Sequence, residues 1–450
     1  AAGLSPQAAA AQDLPKDLRS QVGELLNETA RKEVSIGKIL IDSISMEKNE
    51  LIFFANMNCS YIPFRENNVA EIYQSVKALL PPELSKRKLQ IRTDHHAIEE
   101  LIPLALRSKK GKMKTLTFSH KVDNPLITRL SAPYAPTNGL QNRHIALWQS
   151  HGFYYEPKLT RWEWQRARIF QTVEDLYTQS YVLPFLVPML DNAGVLLPRE
   201  RDWQTTEIIV DNDGCRDGHS VYTEQNGSKA WSNGAKTGFA HLRATYKDFE
   251  NPFCEGSYRQ TETIKKGTAS IAEWIPAIPR SGRYAVYVSY KTVDNSTDDA
   301  LYTVYHQGGT SQFKVNQQMG GGTWIYLGTF SFSAGKTDHK VVLSNQSSKA
   351  GRLVTADAVK IGGGYGNIAR SISEEGSVDY PYEISNYPRF CEAARYWMQW
   401  AGIPDSVYSD SRGKNDYTDD YKSRGIWVNY LAGGSAANPT EKGLNITIDM

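Results

Sequence analysis

The sequence predicts an α/β plus all-β protein: a parallel-sheet α/β domain interrupted by a jelly-roll-like β-sandwich insertion, with a small α/β domain in front. Three observations carry this reading. Residues 144–202 run strand, loop, helix, glycine, strand, which is the βαβ pattern of a parallel sheet. From Asp211 to Gly364, short apolar runs recur roughly every 8–12 residues between Gly- and Asn-marked turns, as sandwich strands do. Helical spacing returns after Ile368, so the sandwich reads as an insertion within one α/β domain.

Taken in order, residues 1–33 read as a leader and a short polar helix. The Ala/Gln-rich stretch to Gln12 is either an end left by signal-peptide cleavage or a disordered leader. Residues 34–118 read as the small α/β domain. Lys38–Ile44 and Leu51–Asn56 are strand-like, Val69, Ile72, Tyr73, Val76 and Leu79 fall at helical steps before Pro81-Pro82, and Lys88–Arg92 is a further strand. His95 and His96 are adjacent, so on a strand they would face opposite ways and would not share a metal; a solvated turn suits them better. Residues 119–143, rich in Pro, read as a linker.

Residues 144–210 form the first part of the expected α/β domain. His144–Gln149 is a strand, Trp162 to Asn192 is a long helix interrupted by Pro184 and Pro188, and "VLLPRERD" is a second strand. Within the sandwich, 211–364, strands are expected at Tyr284–Tyr290, Ala300–His306, Thr323–Phe332 and His339–Ser344. Residues 365–450 resume the α/β domain with a helix from Phe390 to Trp400, a helix or strand at Gly425–Leu431, and a closing strand, "GLNITIDM". A central strand at the very end suggests an incomplete domain and a natural protein that continues.

Bulk properties narrow the function. The net charge is +2 over 450 residues with no long basic run, which argues against nucleic acid as partner. No run of 18 or more apolar residues marks a transmembrane helix. The 25 Tyr and 10 Trp suit sugar-stacking surfaces, although packing a sandwich core is their commoner role. Cys59, Cys215, Cys254 and Cys391 show no CxxC spacing, which argues against a thiolate zinc site. Cys215 and Cys254 fall in one predicted domain and would pair in an oxidising compartment.

Three resemblances add to these readings. "LIFFANMNCSYIPFRENNVAEIYQSVKALLP…LQIRTDHHAIEELIP" weakly resembles the small α/β domain of spore-germination-type proteins. "HIALWQSHGFYYE…TVEDLYTQSYVLPFLVPMLDNAGVLLPRERD" resembles the zinc-dependent N-acetylmuramoyl-L-alanine amidases. That family places a zinc ligand in a strand-end His-Gly and a second in a helix-opening Glu, so the resemblance implies His151 and Glu174 as metal ligands. Glu156 and Glu163 compete for the second role. Arg199 and Asp202 match the family's next strand, where a local ion pair or strand cap is the simpler role. A zinc held this way would lower the pKa of its bound water and supply hydroxide to an amide. Trp148-Gln149-Ser150 departs from the family's Asp-Pro-Gly, and the second ligand His and late catalytic Glu are expected beyond residue 450. This chain alone is therefore expected to be inactive.

"IIVDNDG", "ASIAEWIPAIPRSGRYAVYVSY", "DDALYTVYHQGGTSQFKVNQQMGGGTWIYLGTFSF" and "VTADAVKIGGG" closely resemble the golvesin and xanthan-lyase carbohydrate-binding-like domain. This implies a sugar-facing surface, for which Tyr305, His306 and Trp324 are candidates, with core packing as the plainer role for each. Asp211, Asp213 and Asp357 offer the hard oxygen donors that calcium takes.

Together these imply a secreted, periplasmic or cell-surface protein of the envelope. The first expectation is a zinc amidohydrolase cutting peptidoglycan between the muramic lactyl group and L-alanine, with the sandwich holding glycan. The second is a non-catalytic carbohydrate-binding or adhesin-like protein. A third is a polysaccharide (xanthan-type) lyase-associated protein, which rests only on the sandwich family's name, because a fold does not fix chemistry.

Overall fold

The structure is a computed structural model. It describes residues 15–448 apart from 16, 48, 104–105, 109–124, 132–139, 141–142, 167, 193–203, 336–337, 373–375, 435–441 and 447. "VLLPRERD", with Arg199 and Asp202, and most of the expected leader and linker lie outside the described residues. The chain divides into two units, Ala1–Thr115 and Leu116–Met450.

The first unit contains α1 (Leu18–Glu33), β1 (Ile41–Glu47), β2 (Glu50–Ala55), α2 (Glu66–Leu79), β3 (Lys88–Thr93) and β4 (His96–Ala97). The strands form one sheet in the order β1-β2-β3-β4, with β2 and β3 parallel. Parallel neighbours need a crossover, and α2 supplies it, burying Val69, Ile72 and Val76 against the sheet. The helical steps and the strand runs thus mark the elements that form. Asp94 and His95 sit at φ +47° and +63° in the exposed turn between β3 and β4, the solvated turn expected at the paired histidines.

The second unit is mostly β. Its elements are β5 (Ile127–Arg129), β6 (Phe153–Glu156), β7 (Arg161–Trp164), β8 (Arg168–Ile169), β9 (Thr172–Val173), α3 (Glu174–Tyr181), α4 (Val187–Asn192), β10 (Glu207–Val210), β11 (Val221–Gln225), β12 (Ser232–Asn233), β13 (Tyr246–Lys247), β14 (Arg259–Glu262), β15 (Ile271–Ile275), β16 (Gly282–Val288), β17 (Ala300–His306), β18 (Gly309–Val315), β19 (Ile325–Phe332), β20 (Lys340–Ser344), β21 (Leu353–Ala356), β22 (Val359–Gly362), β23 (Ile368–Ala369), α5 (Ala394–Trp400), α6 (Asp405–Tyr408) and α7 (Asp416–Ala432). Two antiparallel sheets make the sandwich, β10-β22-β16-β19 and β11-β15-β20-β17-β18-β5, with β12-β14-β21 as a smaller third sheet. Alternation places the core. On β17, Ala300, Tyr302 and Val304 point inward while Leu301, Thr303 and Tyr305 point outward; on β18, Phe313 and Val315 are the inward pair. On β16 every residue from Tyr284 to Val288 is buried, so its sheet is covered on both faces.

The regions flanking the sandwich differ from expectation. Among the described residues of 144–192 and 365–448, the parallel pairings are the short β13–β23 pair and a bridge between Phe153 and Glu392, and no βαβ unit is formed. His144–Gln149 makes only an isolated bridge, at His144. Trp162 and its neighbours do not start a helix. β6 and β7 form an antiparallel hairpin, and β8 and β9 form another across Phe170 and Gln171 at φ +48° and +66°. The helix begins only at Glu174 and opens into a π-helical turn over Val182–Leu186, where Pro184 lacks the amide that would continue the ladder. At the other end α7 absorbs the polar stretch before Gly425, capped by the Asn415 side chain, which accepts from Thr418 N at 3.0 Å, and stopped by Gly433 at φ +72°. Instead of joining a sheet, "GLNI" lies along the end of α7, with Leu444 N and Ile446 N donating to the carbonyls of Tyr430 and Leu431.

One apolar cluster runs from the sandwich strands (Trp274, Tyr302, Phe330) through Trp324 to Tyr396, Trp400, Trp427 and Ile446. The residues after 365 thus share the sandwich's core. Buried ion pairs lock this junction. Asp416 accepts from Arg370 Nε and Nη2, both at 2.8 Å, from Tyr396 Oη at 2.6 Å and from Arg395 Nη1 at 2.5 Å, while Asp248 pairs with both guanidinium groups.

Candidate functional site

His151 sits half-buried after Ser150, whose φ is +111°. Gly152 follows because nothing larger fits: a Cβ there would lie 2.4 Å from the Glu392 backbone. The imidazole Nδ1 faces Asp175 Oδ1 at 3.5 Å and Ser150 Oγ at 3.4 Å, and Nε2 faces Arg166 Nη2 at 3.2 Å. A guanidinium can only donate, so Nε2 accepts and the ring is the neutral Nδ1–H tautomer. Burial and the charges of Arg166 and Arg424 hold the His151 pKa below its ordinary value.

Glu174 opens α3 and is exposed, and its charge is felt at His151, but the carboxylate facing the ring is that of its neighbour Asp175. Asp175 is fully buried, and burial pushes its carboxyl up to about 6. Glu156 and Glu163 are engaged with Tyr154 Oη, and Glu163 also with Arg161. Among the described residues, no group of three His, Cys, Asp or Glu side chains is arranged to hold a metal ion. As arranged here, His151 and Glu174 do not fit a catalytic zinc, whose open coordination position needs three protein ligands around it, because a guanidinium occupies the lone-pair side of the ring.

The three sugar-facing candidates also part company. Trp324 is 4% exposed and packs among Phe239, Phe253 and Trp400, with ring centroids 4.8, 5.1 and 6.4 Å away. It is a core residue, since it lies where the sandwich meets the C-terminal helices. His306 stacks on Phe330 at 4.8 Å and bonds Ser311 Oγ at 3.0 Å. Only Tyr305 faces outward, with Lys340 Nζ 5.4 Å from its ring centroid and Lys340 in turn paired with Glu273. Cys215 and Cys254 are both free thiols.

The sandwich does carry an open, polar groove of about 470 Å³, lined by Asn212, Asp213, Tyr222, Thr223, Glu224, Asn233, Ser257 and Arg259. It forms where β11 makes the edge of the six-stranded sheet. Register sets Tyr222 and Glu224 opposite Trp274 and Ala272, on the inward face. At this edge they meet Arg259 of β14 and Asn233 of β12. Arg259 forks onto Glu224, Nε–Oε1 at 2.6 Å and Nη2–Oε2 at 2.9 Å, and its Nη1 donates to Asn233 Oδ1. Tyr222 Oη donates to Glu224 Oε1 at 2.9 Å, and its ring leans on Trp274 at 5.5 Å. Asp213 accepts from Ser257 Oγ at 2.7 Å and from Ser257 N at 2.5 Å.

Behind Asp213 lie two buried carboxyls. Burial, followed by the charge of Asp213, pushes Asp211 up to about 8. Burial and the Asp211 charge push Asp357 well above the carboxylate range, although Phe239 N donates to it at 3.0 Å. Asp211, Asp213 and Asp357 interact electrostatically, but they are not among any group of carboxylates arranged for a metal ion in the described residues, so the calcium reading gains no support. Sequence reasoning missed the groove because its eight residues come from four separate segments. The one legible signal was the spacing of Tyr222 and Glu224, two apart on a strand and so on one face.

Residues 247–363 match the family model of the golvesin C-terminal domain. A xanthan lyase from Bacillus sp. (strain GL1) is 33% identical over 104 residues, 23% of this chain and 11% of that protein. The chain thus spans about a tenth of the curated relative it matches. Among solved structures, a Paenibacillus xanthan lyase is similar at 28% identity, covering 35% of this chain and 13% of its own, with a TM-score of 0.27. The C-terminal CBM6 module of LamC, a laminarinase from Zobellia galactanivorans, is similar at 13% identity, covering 35% of this chain and 99% of the module, with a TM-score of 0.21. The golvesin match begins at Lys247, so it takes in Ser257 and Arg259 of the groove but not the β11 side.

Proposed function

We propose that this protein binds glycan, and that it does so in the groove between β11 and β14. The observation that carries the reading is the groove itself. It is an open concavity at the edge of a sandwich, with planar polar side chains held by one another (Glu224, Arg259, Asn233) beside the Tyr222 ring. Sugars are recognised by such fixed amide, carboxylate and guanidinium groups next to an aromatic face. The likeness over 104 residues to a xanthan lyase, a protein named for a polysaccharide, points the same way. The glycan is then peptidoglycan or another envelope or extracellular polysaccharide, and the protein acts outside the cytoplasm. No helix among the described residues is long and apolar enough to cross a membrane.

Affinity electrophoresis of the full chain through gels containing soluble polysaccharides tests this. Retardation by at least one polysaccharide, lost in Arg259→Ala and kept in Tyr305→Ala, is expected. Retardation lost in Tyr305→Ala and kept in Arg259→Ala would move the site to the outer face of the six-stranded sheet. The hydrolytic reading has its own test. Zinc-dependent release of stem peptides from peptidoglycan, abolished in His151→Ala, would establish amidase chemistry, for which the present surroundings of His151 offer no support.

A further inference from the structure

We infer that the groove selects neutral, hydroxyl-donating sugars and turns away uronates. This rests on the glycan-binding reading above and deepens it. Of the eight lining residues, three carry charge: Asp213 and Glu224 are negative and Arg259 is positive. The guanidinium is already committed. Two of its nitrogens bind both oxygens of Glu224, and the third donates to Asn233 Oδ1. A fork occupied by a carboxylate cannot offer the same bidentate face to a second one.

The hydrogen-bonding capacity left over is of one kind. A carboxylate oxygen has two lone pairs. Glu224 Oε1 uses both, for Tyr222 Oη and Arg259 Nε, while Oε2 accepts only from Arg259 Nη2. Asp213 Oδ1 accepts from Ser257 Oγ, and Oδ2 accepts from Ser257 N. Three carboxylate oxygens are therefore left with an acceptor position each. Vicinal hydroxyls of a neutral pyranose donate to such oxygens. A uronate carboxylate cannot donate, and it would meet two like charges against one spent cation.

Two cations of neighbouring segments are engaged too: Lys229 pairs with Glu262, and Arg243 pairs with Glu255. The two carboxyls behind Asp213 interact with it electrostatically and add nothing positive.

The test is calorimetric titration of the full chain with cellohexaose, chitohexaose and hexagalacturonate, at low and at high ionic strength. The neutral oligosaccharides are expected to bind with affinity indifferent to salt, and hexagalacturonate about tenfold more weakly or worse. Glu224→Gln frees the Arg259 fork and removes one negative charge, so the ratio of uronate to neutral affinity should rise by about tenfold. Asp213→Asn should shift the ratio the same way without touching Arg259. The inference is overturned if hexagalacturonate binds the unaltered protein as tightly as cellohexaose, or if neither substitution moves the ratio. Because the first comparison uses the unaltered protein, misfolding of a variant cannot rescue it. If none of the three oligosaccharides binds, the glycan reading of the groove falls, and this inference falls with it. Binding with the opposite selectivity leaves that reading standing and defeats only this one.

Discussion

Two buried carboxyls show how the surroundings of one residue set its chemistry. Glu392 is enclosed so closely that a Cβ on Gly366 would lie 1.8 Å from its Oε1. Burial pushes its carboxyl from 4.5 up to about 7, with Ser385 and Arg389 pulling the other way. The sign follows from proton counting. Between those two values the folded chain keeps a proton that the unfolded chain has released, so stability falls as pH rises through this window. Glu392→Gln should leave stability unchanged near pH 4.5 and raise it by a few kcal/mol near pH 8, as urea unfolding at the two pH values would show. A variant that is destabilised at the higher pH contradicts this. Asp416 is the opposite case. Although fully buried, it is held below the carboxylate range by Arg395 and Arg370. Its contribution is present above that range and is lost on acidification. Asp416→Ala would leave two buried guanidinium groups sharing Asp248 as their ion-pair partner, at a cost of roughly 3–5 kcal/mol in denaturant unfolding.

At the scale of elements, strands with period-two burial were legible and helices with mixed surroundings were not. Ala300–His306 forms β17 over the residues expected, because alternate inward side chains and turn glycines fix both its face and its ends. The helix-like segment from Trp162 to Asn192 misled over its first half, since Trp and Tyr serve a hairpin as readily as a helix, whereas α3 and α4 form in its second half. Only packing chose: Phe153 and Trp164 meet each other at 4.9 Å and Tyr387 at 4.4 and 5.3 Å. Gly152 is the pivot of that hairpin, where β6 passes against the Glu392 backbone. Gly152→Ala should push β6 away and cost more than about 2 kcal/mol, with new protease cleavage between residues 150 and 165. Retained stability and an unchanged cleavage pattern would show that the backbone yields there without cost.

At the scale of the whole molecule, the described residues hold two large apolar cores and a small cluster around Val187. Leu18, Phe53, Ile72 and Ile91 belong to one, and the sandwich together with the C-terminal helices belongs to the other. Each core closes within its own unit, so each unit should unfold on its own account. Calorimetry of the full chain should resolve two transitions. Residues 1–115 expressed alone should melt as the smaller of them, and residues 116–450 should keep the glycan binding. A single transition, abolished by removing either part, would refute independence. The cut should not be placed at residue 365, because Trp400, Trp427 and Ile446 share a cluster with Trp274 and Phe330.

By itself the sequence determined four strands of the sandwich, the turns beside them, the helix that stops at Pro81 in the first unit and the likeness of the sandwich to the golvesin domain, which the family match supports over 247–363. Those features are written in neighbours a few positions apart, where period and turn chemistry act locally. The tertiary structure alone decided three matters. Trp324 is buried, Arg166 and Asp175 frame His151, and the groove gathers side chains from Asn212 to Arg259. Each depends on which surfaces meet after the chain has folded back over long separations, and no local pattern encodes that meeting.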